Sequence, residues 1–296
     1  MLFLPVAAAI GASTGWATGI VLAQSPARRL GAFEFTRIQL TACAAILSLI
    51  CTLLGFWPSV LWHHWPAFAL SSVVGILLGN LAMIECLRRG GPRRTEILLA
   101  LKGPVVAVLA FVWLGETPSA NVLIGGLVVL GGIFLAIQFG GSEQSASDRL
   151  SGGLSGVVLL GFLATICQGL GFLVVKPAMA EGMSPLTVSA VRLLGAAFLL
   201  SVVALWPARA FRPSHPLTPV LLGRTILPGV IGYIVSSSLL LYAFKNLDAG
   251  LAALLGSLSP VLVLPILWLK EGQPPTLPAV LGALVTLAGI ALILLF

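Results

Sequence analysis

"LLALKGPVVAVLAFVWLGE", Leu98 to Glu116, decides how this chain is read. It is apolar enough for a membrane helix, yet Lys102 and Pro104 sit inside it. A lysine at the centre of a helix in lipid costs about 3 kcal/mol on insertion scales. Proline removes one backbone donor and frees the carbonyl four residues earlier, here Ala100. In hydrocarbon that carbonyl needs a new partner, so such a break lines protein or water.

The surrounding chain says which setting applies. Of its 296 residues, 58% are hydrophobic and 8% are charged, against about 25% charged in a soluble domain. Apolar runs of roughly 20 residues, the length that spans hydrocarbon, recur from end to end. Breaks at Gly, Pro and charge give ten of them, near 3–22, 35–55, 67–87, 95–114, 119–138, 153–175, 185–206, 221–244, 248–269 and 276–295. The run beginning at Leu2 has no basic lead, so it reads as a first membrane helix rather than a cleaved signal. Net charge is +7, but the basic residues cluster between apolar runs, as the positive-inside rule places them. That pattern excludes a nucleic-acid surface.

Catalytic and metal motifs are missing from the sequence. There is no CxxC, HExxH, GxSxG or Walker A pattern. Cys43, Cys51, Cys86 and Cys167 lie in or at the ends of apolar runs and read as small core residues. His63, His64 and His215 fall in polar connectors. Neither a cofactor nor a resident metal is expected, nor an enzyme. An intramembrane enzyme acting on lipid headgroups would need a nucleophile and base, or metal ligands, at matched depth.

The polar stretch "GGSEQSASDRLSGG", Gly140 to Gly153, divides the segments five and five. It reads as a flexible linker between repeats at 1–139 and 154–296. "LLGSLSPVLVLPILWLKEGQPP" from Leu254 echoes the opening stretch: Pro260 falls on Pro104 and Pro274 on Pro118. Trp268 and Glu271 match Trp113 and Glu116 after a one-residue shift, and Arg192 pairs with Arg37. Five is odd, so the second repeat enters the membrane the other way up. The expected fold is an all-α integral membrane protein of ten transmembrane helices in two inverted five-helix repeats. Transporters of this design bind at the repeat interface near the midplane, often at interrupted helices.

These residues resemble the ten-helix drug/metabolite transporter superfamily, its EamA-type bacterial members in particular. The marks are Pro104 with Glu116, Pro260 with Glu271, Arg37 and Arg192, and a Gly-rich closing helix. The resemblance covers nearly the whole chain. It implies transport of a small organic metabolite, often an amino acid, often outward, across the bacterial inner membrane. Glu85, Glu96 and Lys102 stand outside that pattern.

The expected substrate-binding residues are Trp16, Asn80, Lys102, Tyr233, Ser236 and Tyr242. Glu85, Lys102, Pro104 and Pro260 are expected to couple or gate. Two readings of Lys102 compete: its amine snorkels to the near surface, or it pairs with Glu85. Gly11, Gly15 and Gly19, four apart, make a smooth stripe for close packing, static or sliding. The hydroxyls of Ser236 to Ser238 serve either as glue between helices or as substrate ligands. Trp113 and Trp268 read as cavity walls or interface anchors, and Trp57, Trp62, Trp65 and Trp206 as anchors. Lys and Arg concentrate in connectors after odd-numbered segments, including Arg28, Arg88, Arg93, Arg209 and Arg212. That places the linker in the cytoplasm and both termini outside. The expected partners are a small-molecule substrate, the lipid bilayer, and protons or a counter-substrate. Alternating access driven by a gradient is the expected mechanism. The alternatives are a sugar-phosphate or nucleotide-sugar exchanger, suited to Lys102, Arg37 and Arg192, and a passive channel.

Overall fold

The computed structural model describes residues 3–138, 151, 153–205, 216–272 and 274–295. Ten apolar helical stretches run through it. Spans 1 to 4 are Phe3–Leu30, Ala32–Leu53, Trp62–Pro92 and Arg94–Leu114. Span 5 is Ala120–Gln138. Spans 6 to 9 are Leu154–Ala180, Pro185–Ala204, Pro219–Asn246 and Ala249–Lys270. Span 10 is Leu277–Leu295. Most of the linker, with Trp206, Arg209, Arg212 and His215, lies outside the described residues.

Several spans run longer than their apolar cores. Span 1 continues through Pro26 to Leu30, and span 2 starts at Ala32 after a single residue. That residue, Gly31, has φ 84°, a left-handed conformation that costs a residue without Cβ little. Gly91, at φ 78°, turns span 3 into span 4 in the same way, with Pro92 next.

Because the chain alternates direction, connectors after odd spans share one face, which carries Arg28, Arg88 and Arg89. Connectors after even spans share the other. Spans 5 and 10 pack on each other through glycine. A Cβ on Gly282 would lie 2.3 Å from the Ala136 nitrogen, and one on Gly132 2.5 Å from the Thr286 nitrogen. The Gly11–Gly15–Gly19 stripe meets span 8, at Leu239, Ser236 and the Pro228 carbonyl in turn. Gly75 and Gly171 bring spans 3 and 6 to the same closeness, each lying where the other's Cβ would be, within 2.5 Å of Cα.

The even-connector face is filled. Leu173, Val175, Met179, Met183, Leu240, Leu241 and Phe244 are all buried there. Glu116, before span 5, pairs with Lys176 of span 6. The other Glu116 oxygen accepts the Ala249 N–H at 2.6 Å, and Lys176 also donates to the Leu247 carbonyl at 3.0 Å. Three connectors, from both halves, are thereby tied together.

Spans 3 and 8 widen into π-helical turns at Ser71–Leu78 and Val230–Ser236. Such turns are rare and concentrate at functional sites. Spans 4 and 9 break instead. Span 4 is interrupted at Leu101 and resumes at Lys102; span 9 stops at Leu255 and resumes at Ser259. The proline falls at the start of the second piece, where a missing N–H costs little. The carbonyls that recruit side-chain partners are Leu98 and Leu255, whereas Ala100 was expected in span 4. Thr165 of span 6 donates to the first at 2.8 Å, and Ser13 of span 1 to the second at 2.7 Å.

Candidate functional site

The widened turns and the broken helices converge on one internal cavity. Its wall includes Trp16, Gln39, Gly75, Asn80, Met83, Glu96, Lys102, Gln168, Phe172, Arg192, Tyr233, Ser237 and Ser259. The volume open to water centres is about 100 Å³. One water needs only about 10–15 Å³ by that measure, so there is room for a small solute. The lining continues from mid-depth to Ala23, Leu87 and Pro228, positions toward the arginine-bearing face. On the opposite side an aromatic floor closes it. Trp16 meets Phe172 edge-on with centroids 6.0 Å apart, and Phe172 stacks on Phe244 at 5.7 Å.

Three buried charges shape the interior. Lys102 is 5% exposed, and its Nζ sits 4.8 Å above the Trp16 ring and 6.0 Å from that of Phe172. It does not snorkel. Arg192 is 2% exposed; its guanidinium lies 4.6 Å from the Phe172 centroid, and its Nε donates to Ser71 Oγ at 2.5 Å. Ser71 Oγ in turn donates a hydrogen bond to the Gly171 carbonyl at 2.6 Å. Glu96 is 2% exposed, hydrogen-bonded by Ser259 and within electrostatic reach of Lys102.

Three of the polar residues also keep something in reserve. Arg192 Nη1, Asn80 Nδ2 and Glu96 Oε2 are buried with no protein partner. Leaving such groups unsatisfied costs about 1–3 kcal/mol apiece, more when charged. All three belong to residues of this one cavity. Asn80 is oriented by Gln168, whose Nε2 lies 3.5 Å from Asn80 Oδ1.

Of the residues expected from sequence to bind substrate, Trp16, Asn80, Lys102 and Tyr233 line the cavity and Ser236 and Tyr242 do not. Ser236 donates to the Ile231 carbonyl at 2.9 Å and faces Gly15, so it is packing between spans; Ser237 takes the place on the wall. Glu85 is not the partner of Lys102. Arg88 and Arg89 hold it at 2.5 and 2.7 Å from one turn along the same helix. Pro104 and Pro260 shape the breaks without lining the cavity. Trp113 and Trp268 are about half exposed on the outer surface. Arg37 is taken by Glu34 through a bidentate pair at 2.7 and 2.6 Å, so the repeat-related arginines have different settings. Glu96 enters the site unassigned, and Arg192, named only for the resemblance and the anion-exchange alternative, joins it, although an ionisable residue inside an apolar segment is itself a signal.

Comparison with known proteins gives a consistent picture. No curated protein matches the chain. A crystal structure of another protein superimposes with a TM-score of 0.78 at 16% identity, covering 98% of this chain and 96% of that one. At such identity the likeness concerns the fold. The profile of the EamA-like transporter family matches residues 3–138 and again 155–295, one match for each five-span half. This multi-pass membrane protein, with ten apolar helices in two repeats, belongs to the EamA-like transporter family of the drug/metabolite transporter type.

Proposed function

We propose that the chain carries a small zwitterionic amino acid, or a close relative with an acid and an amine, by alternating access. The observation behind this is the set of unpaired polar atoms in the cavity. Arg192 Nη1 and Asn80 Nδ2 are donors suited to a carboxylate, and Glu96 Oε2 is an acceptor suited to an ammonium. Lys102 adds a second cation, while Trp16, Phe172 and Met83 offer an apolar wall for a side chain. A phosphorylated solute fits less well. It would meet the free Glu96 oxygen, and Arg37 is spent on Glu34.

The cavity reaches toward the arginine-bearing face while the other face is filled. With that face cytoplasmic, the arrangement loads a solute from the cytoplasm, as an exporter does. A reporter at the C-terminus that is active only in the cytoplasm would refute this orientation. The test of function is counterflow in proteoliposomes with a panel of amino acids. Saturable exchange of at least one is expected; flux that never saturates would make the protein a channel.

A further inference from the structure

His63, His64 and Glu181 are far apart in sequence and belong to different halves. The histidines enter span 3, and Glu181 follows span 6, on the face that is filled. His63 Nε2 lies 2.8 Å from one Glu181 oxygen and His64 Nε2 3.0 Å from the other. The two imidazoles are 4.2 Å apart at 42° and aim the same ring nitrogen at one carboxylate. His64 Nε2 is buried and makes no satisfactory hydrogen bond despite that approach. All three ligating atoms fall within 4.8 Å of one another.

We propose that this trio is a site for a borderline divalent cation, zinc above all, which clips the two halves together at the closed face. Two imidazoles and one carboxylate form a zinc donor set with a fourth position open to water. Around one tetrahedral ion, ligand atoms about 2.0–2.2 Å from the metal lie roughly 3.3 Å from each other. The two imidazole–carboxylate contacts need to widen by only a few tenths of an ångström, and the two ring nitrogens already lie within 4.8 Å of each other. Magnesium and calcium prefer all-oxygen sites and are excluded by the same donors. The ion has access from solution, because the His63 and Glu181 side chains are 62% and 50% exposed. Occupancy favours whichever state brings the three ligands together. That is the state whose cavity reaches toward the arginines, so zinc holds the other face shut.

Zinc alone, added to tag-free protein, tests this without a substrate and independently of the amino-acid reading. Calorimetry is expected to show one ion per chain, no magnesium binding, and a thermal unfolding midpoint that rises with zinc. His64→Ala and Glu181→Gln are expected to weaken zinc at least about tenfold. His63→Ala, at the most exposed ligand, guards against a folding defect in the others. Leu254→Cys, buried on span 9 between the connector at Ala249 and the cavity residue Gly256, is expected to lose its residual labelling by an impermeant thiol reagent when zinc is present. Unchanged zinc affinity in all three variants, or no binding in wild type, overturns the site. Binding without protection of the cysteine overturns the clip.

Discussion

Glu96→Gln isolates one half of the zwitterion site. The change keeps the side-chain shape and the Ser259 bond, but replaces an acceptor with an amide that is uncharged. One charge-assisted hydrogen bond to the ligand ammonium contributes about 1.5–3 kcal/mol. At 1.4 kcal/mol per factor of ten, affinity should fall roughly 10- to 150-fold. At a ligand concentration of about 100 times the wild-type Kd, binding stabilises the fold by about 2.7 kcal/mol. A hundredfold weaker variant retains only about 0.4 kcal/mol of that. Differential scanning fluorimetry of purified protein reads the difference directly. The control is the ligand's own chemistry. The same acid lacking its amine should bind wild type and Glu96→Gln alike, and Arg192→Met should show the mirror pattern with the decarboxylated amine. If Glu96→Gln binds the zwitterion as wild type does, or loses the amine-free acid equally, the assignment of Glu96 is wrong.

Lys102→Met leaves Glu96 buried without its counter-charge and should cost about 1–3 kcal/mol and abolish counterflow while protein still reaches the membrane; Lys102→Arg should keep some activity. Adding Glu96→Gln to Lys102→Met should restore stability in thermal melts, whereas adding Glu85→Gln should not, because Arg88 and Arg89 hold Glu85. Glu116→Gln weakens the tie among three connectors by about 1–2 kcal/mol, a factor of roughly 5–30 in the closed population. Leu254→Cys should then react faster from that face, against a low background from four buried native cysteines. Gly15→Ala would place its Cβ 2.1 Å from Ser236 Oγ and 3.4 Å from its Cβ. Overpacking of this kind costs about 1–3 kcal/mol, and Ser236→Ala in the same protein should recover much of it; equal melting points for the single and double variants would count against the contact.

How far the sequence could be read depends on the range of the physics involved. Ten spans and two repeats were legible because burial in lipid and a missing proline N–H mark the chain locally. Lys102 was legible as a misplaced charge. Its partner was not: Glu85 was the one weighed, whereas Glu96, six residues before Lys102 on the same span, is the carboxylate within electrostatic reach. The local rule for charges three and four apart already assigns Glu85 to Arg88 and Arg89. Ser236 stands at the repeat position of Asn80, by the offset that carries Pro104 to Pro260, but the π-helical turn ends two residues before Asn80 in span 3 and at Ser236 itself in span 8, so Ser237 takes the wall. That widening leaves no mark in composition. The aromatic floor of Phe172 and Phe244 was hidden among 14 phenylalanines, since only packing singles out two of them.

The wide turns of spans 3 and 8 have a consequence for how a wall of side chains could be exchanged. Each holds a surplus residue relative to an ordinary helix, in opposite halves, at comparable depth. Winding such a turn tight advances the chain by one residue and swivels everything beyond it by about 100°. Asn80 and Met83 ride beyond the first turn, Ser237 beyond the second. All three would swing off the wall together while the parts of both spans before the turns stayed anchored. A helix with slack wound into it behaves like a spool: it pays out rotation without tilting, and the grip on a solute loosens from within.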